Sequence, residues 1–237
     1  MTWSIVARDP RSGAFGICVA TKSFCVGSRV PHLESGVGAI ATQANTNAMY
    51  GTRGIRLLRE GVGAADAVRL LIAADDGREH RQLHIQDSRG GIAAHTGAQC
   101  VDWCGHLVRE TFSVAGNMLA GPQVIEETAR FYEANTQLSF PRRLIEALRA
   151  GEAMGGDKRG KQSAALKIVS TEEYPDFDWR VDDHVEPLDE LKRLEEVSRE
   201  RFAYSRFFSP RRDNPVGLLD FDEIARRVEE MKAADRQ

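Results

Sequence analysis

Thr2 is the residue with the most distinctive chemistry, because it stands directly behind Met1. Threonine is small enough for the methionine to be excised, and excision would leave a free α-amine beside the Thr2 hydroxyl. Such an amine ionises at about pH 8, so it can act as a neutral base near pH 7. A threonine hydroxyl is a weak nucleophile without a base, and the amine supplies one directly or through a water. The pair suits attack on an amide-type carbonyl. The same dipeptide also fits a residue that simply starts an edge strand.

Other polar residues fall where catalysis would need donors. Asn45 and Asn47 lie between an apolar run and a helix start, where free backbone N–H groups and the positive dipole end gather. An oxyanion hole could form there, although Asn47 equally suits a helix cap. Asn117 follows a strand placed beside the first hairpin, and its amide could donate to an oxyanion or serve a turn. Asp157 and Arg159, in the glycine-bounded stretch Gly155–Gly160, are expected to pair at a pocket rim. Cys100, Cys104 and His106, with His95 nearby, have the types of zinc ligands, but no second cysteine pair accompanies them; small buried side chains are the alternative. No phosphate-loop or dinucleotide motif is present, and no metal or organic cofactor is implied.

The elements that must position these residues read clearly in outline. Residues 3–8 and 14–21 form a hairpin around Asp9-Pro10-Arg11-Ser12-Gly13. Residues 36–42 are a third strand without clean alternation, as in strands covered on both faces; residues 3–8, 14–21 and 37–42 are expected in one core sheet. Helices are predicted at 48–60 and 64–74, strands at 81–87, 91–96 and 110–115, and helices at 122–135 and 139–150. Strands at 163–169 and 177–181 follow, then a charged amphipathic helix over 187–206 and a last helix at 220–234 begun by Asp220. The order predicts helix–sheet–sheet–helix packing around one core. A linker-like stretch at 210–217 divides residues 1–208 from a C-terminal appendage at 209–237.

Longer motifs carry a resemblance. Thr2-x-Ser4-Ile5-Val6-Ala7-x-Asp9 with Val19-Ala20-Thr21-Lys22-Ser23 resembles the opening hairpin of N-terminal-nucleophile (Ntn) hydrolases, among them proteasome β-subunits and threonine-type asparaginases. Gly36-Val37-Gly38-Ala39-Ile40-Ala41-Thr42-Gln43, Gly116-Asn117-Met118-Leu119-Ala120-Gly121 and the run from Gly155 to Ala165 are similar to an uncharacterised bacterial family, "domain of unknown function 1028", over about residues 1–205. The resemblance implies an α+β fold, the four-layer αββα Ntn-hydrolase sandwich, and a mechanism class without a substrate. From the asparaginases it implies that Ser23 holds the nucleophile, with Lys22 the neighbouring cation, and that Arg29 binds a substrate carboxylate. Side chains alternate along a strand, so Lys22 and Ser23 cannot both face Thr2 on a regular strand.

The chain of 237 residues carries a net charge of −3, which argues against a general nucleic-acid or membrane-surface role. No apolar run approaches the roughly 20 residues of a membrane helix. The N-terminus lacks a signal-peptide pattern, so a cytoplasmic location is expected. The reading is an amidohydrolase acting on a small polar amide through Thr2. Its alternative is an inactive Ntn-fold binding or assembly subunit, and a zinc enzyme built on Cys100, Cys104 and His106 stands third. Leu188, Leu191, Leu194 and Val197, with Phe202, Phe207 and Phe208, predict a homodimer or larger assembly involving the C-terminal segment.

Overall fold

The computed structural model describes residues 2–235. By internal contacts the chain divides into residues 1–192 and 193–237. In the first unit, β1 (Thr2–Arg8) and β2 (Phe15–Thr21) form the expected antiparallel hairpin. Asp9 closes its turn, accepting hydrogen bonds from the Arg11 and Ser12 backbone N–H groups (3.3 and 3.2 Å) and the Ser12 hydroxyl (2.6 Å). Its short side chain replaces a backbone acceptor.

Two antiparallel sheets follow from this hairpin. The chain continues through β3 (Pro31–Glu34), β4 (Gly38–Ala44), β5 (Arg81–Asp87), β6 (Ile92–Thr96), β7 (Trp103–Val108), β8 (Phe112–Leu119), β9 (Ser163–Val169) and β10 (Phe177–Val181). The larger sheet has the order β10-β9-β2-β1-β8-β7, and the smaller β3-β4-β5-β6. Residues 37–42 therefore do not share a sheet with 3–8 and 14–21, and that expectation is corrected. The outer edges of the hairpin are taken by β8 and β9. Ala39 and Ala41 instead meet Val6, Ile17 and Val19 face-on in one apolar cluster. The strands β3 and β7 had no clear signal in the sequence; β7 is an edge strand of half-exposed residues interrupted by Gly105.

Among the described residues there are seven α-helices. On the smaller sheet pack α1 (Met49–Arg59) and α2 (Ala64–Ala73). A side chain at Gly54 would strike Ile40, so glycine permits that close approach. On the larger sheet pack α3 (Gln123–Ala134) and α4 (Phe140–Ala153), where Gly16 makes room for Phe140 and Leu144. The remaining helices are α5 (Pro187–Ser198), α6 (Phe202–Ser205) and α7 (Phe221–Ala234). The single helix expected over 187–206 is thus two. Its apolar three-residue repeat ends at Val197, Glu200 stands where the next member would fall, and the Ser198 hydroxyl turns back to the Glu195 carbonyl at 2.7 Å. In the second unit α7 is capped as expected: Asp220 accepts from the Asp222 and Glu223 backbone N–H groups at 3.0 and 3.1 Å. No helix among the described residues is long and apolar enough to cross a membrane.

Alternation then sorts the side chains of β1. Trp3 lies against α4 beside Gly151, while Ser4 and Val6 face the smaller sheet. Thr2 shares the parity of Ser4 and Val6.

Candidate active site

Thr2 begins β1 directly opposite Asn117 of β8. The Thr2 hydroxyl lies 3.3 Å from that of Thr21, the last residue of β2, and both side chains are buried. The Thr2 carbonyl is approached from two sides, accepting from Asn117 Nδ2 at 3.2 Å and lying 3.3 Å from Gln43 Nε2, which it shares with the Ala115 carbonyl at 3.1 Å. The residue after each of these amides is left-handed: Ala44 has φ 69° and Met118 φ 54°. Neither is glycine, and such a conformation costs about 1–2 kcal/mol. Two of the four left-handed non-glycine residues among the described residues thus directly follow the amides that hold Thr2.

Both gripping amides rest on a third. Gln82 Oε1 accepts from Gln43 Nε2 at 2.8 Å and Asn117 Nδ2 at 3.0 Å. Gln82 Nε2 in turn donates to the Gly116 carbonyl at 2.8 Å, and lies within bonding distance of the Thr96 hydroxyl and the Gly105 carbonyl. Further in, Ser4 Oγ donates to Gln43 Oε1 at 2.7 Å and lies 2.8 Å from His84 Nε2; His84 Nδ1 lies 2.8 Å from Ser113 Oγ. A serine has one proton to give, so His84 Nε2 carries the hydrogen and Ser113 donates to Nδ1. Ser4, Gln43, Gln82, His84 and Ser113 are fully buried. Burial, with a smaller contribution from the neighbouring His106, pushes the His84 imidazole down to about 3, so it is neutral at pH 7. Ser4 and His84 have the spacing of a nucleophile and base, but with no exposed surface they form a support and not a reaction centre.

The predicted site residues separate into groups. Thr2 and Asn117 meet, but the Asn117 amide donates to the Thr2 carbonyl and to Gln82 Oε1, so it positions Thr2 instead of facing an oxyanion. Ser23 is exposed, and its carbonyl accepts from Ser163 Oγ at 2.5 Å. The hydroxyl against Thr2 belongs to Thr21, two residues earlier and of the same parity. Lys22 is exposed, with Nζ on the Lys161 carbonyl at 2.9 Å and its backbone N–H on Asp157 Oδ2 at 2.8 Å. Asp157 is buried and pairs with Arg159 at 3.3 Å, the expected ion pair, just past the end of β2.

The other candidates lie elsewhere. Asn45 is exposed, and its carbonyl accepts from Arg81 at 2.6 Å. Asn47 accepts from the Met49 backbone N–H at 3.1 Å and donates to Asp75 Oδ2 at 3.1 Å, so it caps α1. Burial would raise the Asp75 carboxyl, but hydrogen bonds from Tyr50, Arg81, Asn47 and the Gly77 N–H hold it well below the usual carboxylate range. Arg29 is exposed in the turn after β2, its carbonyl bonded to the His32 ring at 3.3 Å. Cys104 Sγ lies 3.5 Å from the Cys100 carbonyl and His106 Nδ1 bonds Thr96 at 2.9 Å; among the described residues no group of three or more His, Cys, Asp or Glu is arranged to hold a metal.

Sequence reasoning missed Ser4, Thr21, Gln43, Gln82, His84 and Ser113. The signal was period two: Thr2-x-Ser4 on one strand and Gln82-x-His84-x-Gln86 on another, polar residues at every second place among apolar ones.

These features define an α+β protein with two antiparallel sheets and a hydroxyl pair at the start of its first strand. The family described as "Family of unknown function (DUF1028)" matches residues 2–191. This chain belongs to that family. A solved structure of a Silicibacter pomeroyi protein described with the same family is 32% identical, covers 92% of this chain and 96% of its own, and superposes with a TM-score of 0.85. Anbu (ancestral beta-subunit) from Yersinia bercovieri aligns over 85% of this chain and 96% of its own at 12% identity and a TM-score of 0.37, too slight a likeness to build on. No curated protein matches.

Proposed function

We propose that this chain is an Ntn-type amidohydrolase acting on a small polar substrate, such as an acylated amine, an amino-acid amide or a short peptide. In this reading the two helix pairs and two sheets make the four layers of an αββα sandwich. Thr2 begins the mature chain and its hydroxyl attacks the carbonyl. The freed α-amine takes the hydroxyl proton and passes it to the leaving amine, and water then resolves the acyl-enzyme. Met1, whose removal this chemistry requires, lies outside the described residues. The observation that carries the reading is the Thr2–Thr21 hydroxyl contact at 3.3 Å, on a residue whose carbonyl is clamped by two buried amides. Thr21 orients the nucleophile. Gln43 and Asn117 fix its backbone, so the hydroxyl is presented with little freedom to lose. Lys22, Asp157 and Arg159 shape the rim beyond β2.

One observation favours the second reading, an inactive binding or assembly subunit: Thr2 is only 7% exposed. A screen of small amides and acyl-amino acids separates the two, using protein whose intact mass shows that Met1 is gone. Turnover that Thr2→Ala abolishes, and Thr2→Ser partly keeps, supports the hydrolase. Turnover unchanged in folded Thr2→Ala refutes the nucleophile.

A further inference from the structure

Two surfaces far apart in sequence have matching chemistry. The first is a groove of about 530 Å³ between α1 and α2, walled by Met49, Leu57, Leu70 and Leu71. Met49 is 51% and Leu70 43% exposed, unusual for large apolar side chains on adjoining helices. The groove is firmly built at one end. Asp75 accepts from Tyr50 Oη at 2.8 Å, Asn47 Nδ2 at 3.1 Å and Arg81 Nε at 3.0 Å, which joins the start of α1 to the end of α2. Its rim is basic. Arg53 and Arg56, one helical turn apart, make no side-chain hydrogen bond or ion pair among the described residues, and Glu60 is the acidic group beside them.

The second surface is the run Val216-Gly217-Leu218-Leu219-Asp220-Phe221-Asp222 ahead of and into α7. Residues 217–220 have no regular secondary structure. Val216 is 63%, Leu219 72% and Phe221 78% exposed. Asp220 is occupied in capping α7, while the Asp222 carboxylate makes no side-chain pair among the described residues. This is an apolar, acidic segment, and the groove is apolar with two unpaired arginines, Arg53 and Arg56, beside it.

We propose that the chain forms a homodimer in which the 216–222 segment of each copy docks in the α1–α2 groove of the other. Leu219 and Phe221 fill the apolar trough, and Asp222 meets Arg53 and Arg56. The two surfaces are complementary: both expose apolar side chains, with unpaired arginines on one and an unpaired carboxylate on the other among the described residues. The contact is made twice when it is reciprocal, so it closes a pair with two-fold symmetry and leaves no groove open for further growth. Aromatic anchors in a pocket and opposed charges at its rim are the usual division of labour in such an interface.

Sedimentation velocity of the full-length protein from 1 to 100 μM tests this, with circular dichroism to verify that each variant is folded. The wild type is expected to be a dimer. Arg53→Glu with Arg56→Glu should raise the dissociation constant at least tenfold, and Phe221→Ser, in the docking segment, should do the same alone. Adding Asp222→Arg to the double arginine variant should recover most of the loss. A wild-type monomer at 100 μM overturns the proposal, as does a dimer that neither set of changes weakens. Failure of the charge swap to rescue rules out the assigned pairing, and assemblies that keep growing with concentration rule out the closed pair.

Discussion

The layer between the two sheets has two unlike halves. Where β2, β4 and β9 meet, it is filled by Val6, Phe15, Ile17, Val19, Ala39, Ala41, Ala165 and Val169. Where β1 and β8 lie over β5, it holds Ser4, Gln43, Gln82, His84, Gln86, Ser113 and Asn117, each at most 1% exposed. The apolar half stabilises by removing surface from water, about 25 cal/mol per Å², and has no preferred direction. The polar half gains only about 1 kcal/mol net per hydrogen bond, and losing one partner strands the others. Its contribution is direction. Each amide fixes the next, and the series ends on the Thr2 carbonyl. Stability and positioning are thus assigned to neighbouring parts of one layer.

The largest expected effect is in the apolar half. Ile17→Ala should cost about 4 kcal/mol through lost burial and the cavity left behind, read as a lowered urea midpoint, with Thr2 still held. A loss under about 1 kcal/mol would show that this half is loosely packed. Gln82→Leu should cost about 3 kcal/mol, because the Gln43 and Asn117 amides and the Gly116 carbonyl lose a partner. Unlike Ile17→Ala, it should also release Thr2, so a comparable fall in stability with unchanged chemistry at Thr2 would erase the distinction between the halves.

A pH series sharpens the comparison further. The His84 imidazole is depressed to about 3 in the folded protein, against about 6.5 unfolded. Between those values the unfolded chain takes up a proton that the folded chain refuses. Stability is therefore fully present above about pH 6.5 and is lost as pH falls. From pH 6.5 to 5 the wild type should lose about 2 kcal/mol more than His84→Gln; equal losses would mean that the imidazole is not held neutral. The smallest expected effect is at Ser23. Ser23→Ala should change stability by less than about 0.5 kcal/mol and leave activity intact, whereas Thr21→Ala should lower turnover.

Much of this architecture was legible in the sequence. The hairpin, four helices and the strands at 163–169 and 177–181 were marked by period and turn chemistry, and Asp220 by its capping position. Sheet membership was not legible, because a near-continuous apolar run shows that a strand is covered on both faces but not whether its neighbour lies beside it or across from it. That is how residues 37–42 came to be placed in the wrong sheet. The Thr2–Asn117 neighbourhood was foreseen in part, since a strand at 110–115 was placed beside the hairpin. Ser23 drew attention through a distant resemblance, although parity from Thr2 and Thr21 pointed to the earlier hydroxyl. The glutamine–histidine support was hidden because its hydrogen-bonded partners are 29 to 80 residues apart, and the period-two pattern within one strand does not say which residues of another strand it meets.

In the proposed mechanism the Thr2 hydroxyl is the nucleophile, and the polar half of the layer holds it in place. The most direct test of this mechanism is peptide mapping by mass spectrometry after treating Met1-free protein with an acylating electrophile such as a β-lactone. One adduct is expected, on Thr2, absent in Thr2→Ala and formed at least tenfold more slowly in Gln82→Leu. An adduct on another residue, or labelling that persists undiminished in Thr2→Ala, would contradict it.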